Sequence, residues 1–215
     1  MSESNPFATR FVRPGAIGYL FQDERSVDSL VTSLRQNQWW GEIVGPHGSG
    51  KSTLIAALTP ELAAAGREVL RYVLAADGGG RPECLAPAAA FSFLAEQPLG
   101  PSSQLILDGY ERISWWWRRR VQALCRKRGA GLLVTTHQPL GLPLLYQTKS
   151  TEQLAQLVVG RLLAPGEQLV TPADVTAAFR KSGGNVRETL FALFDTYQAR
   201  RAGESASACS SGRRT

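Results

Sequence analysis

Residues 45–53 have the sequence Gly-Pro-His-Gly-Ser-Gly-Lys-Ser-Thr, which fits the pattern G-x-x-x-x-G-K-[ST]. An apolar run, Trp39 to Val44, precedes this segment, and a helical pattern from Lys51 to Ala65 follows it. Glycines at these positions let successive backbone N–H groups turn inward around phosphate oxygens, and the following helix adds its positive end. The strand, loop and helix together indicate a nucleoside triphosphate site in an α/β fold.

The residue types in this loop match separate tasks at such a site. Lys51 would bridge the β- and γ-phosphates, and the Ser52 hydroxyl would ligate Mg²⁺. We therefore predict that the loop as a whole binds the nucleotide, through Gly45, Pro46, His47, Gly48, Ser49, Gly50, Lys51, Ser52 and Thr53.

A second motif ends in an acidic residue and lies in a predicted strand, Leu105-Ile106-Leu107-Asp108. An Asp at this place would hold Mg²⁺ through water, although the same residue also suits a simple strand-end cap. Glu111, three residues later, would orient or deprotonate the attacking water. The alternative for Glu111 is the first-turn acid of the next helix, where the helix dipole favours a negative charge.

The strand predicted at Gly131 to Thr136 ends in polar residues, Thr135-Thr136-His137. Parallel strands end at the same edge of a sheet, so these groups are expected to face the phosphate site. Thr136 is the candidate to hydrogen-bond the attacking water or the γ-phosphate. His137 is a second candidate, or a loop histidine paired with backbone.

Hydrophobic periodicity predicts alternating strands and helices up to about residue 148 and helices alone after it. We therefore predict an N-terminal arm at 1–21, a three-layer α/β domain with a parallel sheet at 22–148, a small all-helical lid at 149–201 and a disordered tail at 202–215. The predicted elements are helices Ser26–Gln38, Lys51–Ala65, Ala88–Glu96, Glu111–Arg128, Thr151–Leu163, Thr171–Ser182 and Asn185–Arg201, strands Trp39–Val44, Val69–Leu74, Gln104–Asp108 and Gly131–Thr136, and a surface loop Asp77–Pro87.

The phosphate loop, Asp108, the polar strand end and the all-helical C-terminal part together resemble AAA+ and related STAND-type P-loop ATPases. Asp108-Gly109-Tyr110-Glu111 is similar to the acidic strand of the NACHT group, and Asn5-Pro6-Phe7 is similar to ATPases of the general secretion and transposition-helper type. The latter resemblance implies that arm residues between Arg13 and Phe21 cover the adenine. Ser182-Gly183-Gly184-Asn185-Val186-Arg187 resembles a lid segment whose arginine contacts the γ-phosphate, which implies that role for Arg187.

Two departures from this family pattern bear on activity. The segment from Gln138 to Ser150, where ring-forming members carry an arginine finger, contains Lys149 and no Arg, so oligomeric state stays open. The acidic strand also lacks an immediate Asp-Glu pair. The resemblance thus implies Mg²⁺-dependent ATP binding with slow hydrolysis, a switch rather than a motor. ATP is favoured over GTP by the resemblance, and no Asn-Lys-x-Asp guanine motif is present.

Residues 115–120, Trp-Trp-Trp-Arg-Arg-Arg, stand out in a chain with net charge +6. On a helix, Trp117 shares a face with Ile113, Val121 and Leu124 and is expected to pack on the sheet. Trp115 and the arginines at 118, 119 and 126 are expected on the outer side. That face is either solvated, with arginine stems covering indole surface, or it binds a protein, a nucleic acid or anionic headgroups.

Composition narrows the function classes further. Apolar runs of about 18 residues are absent, which argues against a membrane-spanning helix, and the first twenty residues do not resemble a secretory signal. Three widely spaced cysteines, Cys84, Cys125 and Cys209, suit a reducing cytoplasm. The alternatives to an ATPase switch are a small-molecule P-loop kinase and an ATP-binding interaction module that does not hydrolyse its nucleotide.

Overall fold

The computed structural model describes residues 5–75, 84–87 and 89–211 of the chain. The strands in this part of the chain are β1 Trp40–Val44, β2 Glu68–Leu74, β3 Cys84–Leu85, β4 Ser103–Asp108, β5 Gly131–Thr136 and β6 Leu144–Gln147. The helices are α1 Thr9–Val12, α2 Val27–Gln36, α3 Lys51–Ala64, α4 Ala90–Glu96, α5 Trp115–Arg128, α6 Glu152–Leu162, α7 Pro172–Lys181 and α8 Val186–Ser211, and a 3₁₀ turn spans Tyr110–Arg112.

The six strands form one parallel sheet in the order β3-β2-β4-β5-β1-β6. This confirms the predicted α/β class and the parallel sheet. Two edge strands were not predicted: β6 in the segment Gln138 to Ser150, and β3 inside the predicted loop Asp77–Pro87. Both are too short for a periodic signal. The rest of that predicted loop, residues 77–83, lies outside the described residues.

Helices pack against both faces of the sheet. Successive strand residues point to opposite faces, and Leu105, Leu107, Leu132 and Val134 join a buried cluster with side chains of α4 and α5. The opposite face carries Gly41, where an added Cβ would lie 3.0 Å from Cδ1 of Leu34 in α2. This arrangement is compatible with the predicted three layers.

The helix predicted from Glu111 to Arg128 is wrong over its first four residues. Gly109 has a left-handed backbone (φ 88°), a 3₁₀ turn follows, and Ile113 is extended (φ −84°, ψ 136°). Tyr110 and Ile113 are buried at 0% and 1% exposure, and the extended backbone of Ile113 interrupts the hydrogen-bond pattern that a helix starting at Glu111 would need. The helix α5 therefore begins at Trp115.

The inner face of α5 agrees with the sequence. Val121 is fully buried, and Trp117 and Leu124 pack, partly buried, against the same cluster as Ile113. Arg118 differs from expectation: it is half-buried rather than on the outer side. Its Nη2 donates a hydrogen bond to the carbonyl oxygen of Glu111 at 2.7 Å.

The chain divides into two compact units. We call them the sheet unit, Asp23–Gly45 with Lys51–Thr148, and the helical unit, which comprises the arm up to Gln22, residues Pro46–Gly50 and the chain from Lys149 onward. The segment Pro46–Gly50 of the phosphate loop thus belongs to the same unit as the C-terminal helices.

The helical unit has a core of its own. Phe7, at 1% exposure, lies among apolar side chains of α6, α7 and α8, and its ring meets that of Tyr197 edge-on with centroids 6.0 Å apart. The arm, expected to be irregular, contains the short helix α1. The helix α8 continues to Ser211, ten residues beyond the predicted end at Arg201 and into the segment expected to be disordered. Residues 212–215 lie outside the described part.

Within the described ranges, no helix is both long and apolar enough to cross a membrane.

The two leucines Leu105 and Leu144 provide a test of this core. Leu105 in β4 is fully buried, whereas Leu144 in β6 is 55% exposed. We expect Leu105→Ala to lower the free energy of unfolding by about 2–5 kcal/mol, the cost of a buried cavity. Leu144→Ala should change it by about 0.5 kcal/mol or less. Urea denaturation followed by circular dichroism measures both, and equal losses would contradict the assigned core.

Candidate functional site

The phosphate loop connects the end of β1 to the first turn of α3. Gly45, just after β1, donates its N–H to the carbonyl oxygen of Thr136 at the end of β5 (3.1 Å). The Nζ of Lys51 donates in turn to the carbonyl oxygen of Gly45 at 2.6 Å. The lysine ammonium is therefore held at the start of the loop, at the carboxyl edge of the parallel strands, where open α/β sheets bind their ligands.

Asp108 is the centre of the polar groups at this edge. Its Oδ2 accepts a hydrogen bond from the Oγ of Ser52 at 2.7 Å, and its Oδ1 accepts one from the Oγ1 of Thr135 at 2.6 Å. Nη2 of Arg71, on β2, lies 3.6 Å from Oδ2. The carboxylate is 9% exposed, so these donors offset the cost of burying its charge.

Mg²⁺ takes oxygen ligands, keeps several waters, and is usually bound by one or two protein groups. The pairing of Ser52 Oγ with Asp108 Oδ2 supplies a hydroxyl and a carboxylate oxygen at one place, 56 residues apart in the chain. The two residues predicted as metal ligands are thus adjacent, and they fit the donor set that this ion requires.

Glu111, in the 3₁₀ turn after Asp108, is held by one carboxylate oxygen only. Its Oε1 lies 3.2 Å from Nδ1 of His137, whereas its Oε2 is buried without a hydrogen-bond partner among the described residues. The Oγ1 of Thr136 is also buried and has no hydrogen-bond partner among the described residues. Buried polar atoms are normally hydrogen-bonded, so both atoms are candidates to contact a ligand or a water.

Burial and the neighbouring carboxylates have opposite effects on the pKa of Lys51. Burial lowers the pKa of Lys51 below its ordinary value, and the carboxylates of Glu111 and Asp108 only partly offset this effect. The ammonium is thus already near two negative groups and partly desolvated, which strengthens its interaction with an added anion.

The loop residues Pro46–Gly50 belong to the helical unit. Gly48 and Gly50 have left-handed backbones, with φ of 71° and 88°, a conformation that can turn backbone N–H groups toward an anion. Ser49 is buried, and its Oγ donates to the carbonyl oxygen of Pro46 at 2.8 Å. The side chains of Pro46 and His47 are exposed.

Two more parts of the helical unit meet this loop segment. A Cβ on Gly48 would overlap the side-chain amide of Asn185, the residue that precedes α8. A Cβ on Gly50 would lie 3.3 Å from the ring of Tyr19, in the N-terminal arm. The arm residues that the resemblance assigns to the adenine therefore include one that lies against the loop.

Arg187 lies in the first turn of α8, two residues after Asn185. Its side chain is exposed, and its guanidinium carbon lies 5.6 Å from the ring centroid of Phe191. Its contact with a γ-phosphate stays a prediction. Thr53, the last residue of the motif, is half-buried on α3.

Arg71 and Thr135 belong to this site although the sequence did not single them out. Arg71 is the one basic residue within β2, flanked on both sides by apolar residues, and this is a weak sequence signal. For Thr135 and Thr136, pattern alone does not decide which hydroxyl meets Asp108, because that depends on the pairing of β4 with β5.

No protein-family model matches the chain, and no curated protein matches its sequence.

The adjacent threonines Thr135 and Thr136 allow a matched test of this geometry. Thr135→Val removes the donor to Asp108 and the acceptor of the Gly109 N–H, which lies 2.9 Å from Oγ1. We expect a loss of about 1–3 kcal/mol in the free energy of unfolding. Thr136→Val replaces a hydroxyl with no partner and should cost about 0.5 kcal/mol or less. Urea titration compares the two, and the reverse order would contradict the assignment.

The close approach at Gly48 is tested against a second glycine with the same backbone. Gly66 has φ of 81° and nothing within 4 Å of an added Cβ, so Gly66→Ala should cost only the left-handed strain, about 1–2 kcal/mol. Gly48→Ala adds the displacement of Asn185, which caps α8 by accepting from the Glu188 N–H. We expect it to cost about 1 kcal/mol more. Similar melting temperatures for the two variants would contradict this packing.

Proposed function

We propose that this protein is a Mg²⁺-dependent, ATP-binding P-loop protein of the three-layer α/β type that hydrolyses ATP slowly and acts as a nucleotide-dependent switch. The observation that carries this proposal is the hydrogen bond between Ser52 Oγ and Asp108 Oδ2 at 2.7 Å. It brings the hydroxyl that follows the loop lysine to the carboxylate at the end of β4, as a phosphate-bound metal requires.

The loop and Lys51 would bind the phosphates. The left-handed glycines at 48 and 50 suit a backbone that offers several N–H groups to one anion, and the first turn of α3 adds its positive end. Lys51, now donating to the Gly45 carbonyl, would exchange this acceptor for the β- and γ-phosphate oxygens. An anion there would also balance its charge better than a neutral carbonyl does.

Magnesium would be held by Ser52 directly and by Asp108 through water. When bound, the ion would neutralise charge that develops on the phosphates. Thr135 orients the Asp108 carboxylate through Oδ1, which leaves Oδ2 turned toward Ser52. Arg71 adds a positive charge beside the same oxygen and would limit the local excess of negative charge.

Glu111 would act on the attacking water. Its Oε2 is buried and has no hydrogen-bond partner within the described part of the chain, and it is therefore the oxygen that would accept a proton from a water molecule. Its Oε1 is already held near His137 Nδ1, which orients the carboxylate. The partnerless hydroxyl of Thr136 would hydrogen-bond the water or the γ-phosphate.

The switch part of the proposal depends on the helical unit. The loop segment Pro46–Gly50 belongs to that unit, and Gly48 lies against Asn185 at the start of α8. A phosphate bound by the loop would therefore act on α8, whose first turn carries Arg187. The predicted contact of Arg187 with the γ-phosphate would distinguish ATP from ADP.

Four variants test the proposed reaction. We expect Lys51→Ala to abolish binding of a fluorescent ATP analogue, while Lys181→Ala, which removes an exposed lysine of α7, leaves it unchanged. Glu111→Gln should keep binding and lower phosphate release about 100-fold or more, the usual loss for a general base. Asp108→Asn should raise the Mg²⁺ concentration needed for binding.

The outcomes separate the proposal from its alternatives. Phosphate release that depends on Lys51 and Glu111 supports the ATPase. Binding without any release would indicate a non-hydrolysing interaction module, and transfer of phosphate to an added acceptor would indicate a kinase. Binding that survives Lys51→Ala would contradict the site itself.

A further inference from the structure

Two indoles and two guanidinium groups form an exposed surface on the first two turns of α5. Trp115 is 53% and Trp116 72% exposed, and their ring centroids lie 4.5 Å apart at an interplanar angle of 72°. Arg119 and Arg120 are also exposed, and the Arg119 guanidinium carbon lies 5.0 Å from the Trp115 ring centroid. We call these four residues the tryptophan–arginine surface.

The core of the sheet unit does not account for this surface. Of the three consecutive tryptophans, only Trp117 packs inward, where it stacks on Phe91 with centroids 5.2 Å apart. Trp115 and Trp116 point away from the cluster that contains Val121 and Cys125. Large adjacent apolar side chains left in water are unfavourable, and such patches mark binding surfaces.

The charge next to these indoles has one sign. The sequence of α5 is WWWRRRVQALCRKR, with six basic residues and no acidic one. Positions 116, 120, 123 and 127 lie about one turn apart on one side of the helix, so Arg120 and the exposed Lys127 continue from Trp116 as a strip about 16 Å long. A partner of this strip must carry repeated negative charges.

We propose that the tryptophan–arginine surface binds single-stranded nucleic acid, with one or two bases stacked on the indoles and the phosphates against Arg119, Arg120 and Lys127. This binding goes beyond the proposed ATPase activity and requires no nucleotide. Base–aromatic stacking combined with a cationic track is how proteins hold single strands without regard to sequence.

The composition of the surface favours this partner over three others. An acidic peptide would pair with the arginines but offers no flat rings for two exposed indoles. A membrane-binding helix needs a wide apolar face, whereas the residues one turn after Trp115 and Trp116 are Arg119 and Arg120. In a duplex the bases are stacked on each other, so their faces are closed to an indole.

Fluorescence anisotropy with a labelled oligothymidylate of about 20 nucleotides, in the absence of ATP, tests the proposal. We expect Trp115→Ala/Trp116→Ala to raise the dissociation constant about 5- to 150-fold, the range for losing one stacked base. Trp116→Phe should retain most of the affinity, because a flat ring remains. Arg119→Ala/Arg120→Ala should reduce the slope of log affinity against log salt by about 1.4.

The control variant Arg180→Ala/Lys181→Ala removes the same charge from exposed positions on α7 and should change the dissociation constant less than about twofold if the surface is specific. Melting curves by circular dichroism confirm folding, and single Trp116→Ala replaces the double variant if that one melts early. The proposal would be overturned if the control variant weakened binding equally, or if an abasic strand or a duplex bound with equal affinity. It would also be overturned if tryptophan-dependent binding were found only with polyglutamate or phosphatidylserine vesicles.

Discussion

The Asp108 carboxylate is the constraint on which the sheet unit depends. It is nearly buried, and an ionised group in that position is tolerated only with hydrogen-bond donors or opposite charge around it. Ser52 from α3 and Thr135 from β5 donate to its two oxygens, and Arg71 of β2 lies beside it. Residues of four elements must therefore meet at one place, and that place is the carboxyl edge of the sheet.

The same carboxylate determines where the chain goes next. Thr135, while donating to Asp108, accepts the N–H of Gly109, and the left-handed backbone of Gly109 begins the 3₁₀ turn that carries Glu111. Arg118 then donates to the Glu111 carbonyl oxygen. A series of hydrogen bonds thus runs from the proposed metal ligand through the proposed base to the first turn of α5.

Much of the fold was predictable because its signals are local. Short apolar stretches mark β1, β2, β4 and β5, and the Ser26 and Thr171 caps mark the starts of α2 and α7. The start of α5 was not predictable from such local signals, since Glu111 is as good a helix residue as Trp115. The path is decided by the left-handed Gly109, whose N–H is held by Thr135, and by the extended backbone of Ile113, and a one-dimensional pattern does not contain these features.

The sequence by itself determined the glycine-rich loop at residues 45–50, the parallel α/β sheet and the candidate residues Lys51, Ser52, Asp108 and Glu111, because glycine conformations, strand runs and short motifs involve neighbours in the chain. Only the tertiary structure decided that Thr135 and not Thr136 holds Asp108, that Arg71 and His137 join the site, and that Asn185 lies against Gly48. Each of these contacts joins residues at least 26 positions apart. They depend on strand pairing and on the packing of whole elements, which the local pattern of residues does not specify.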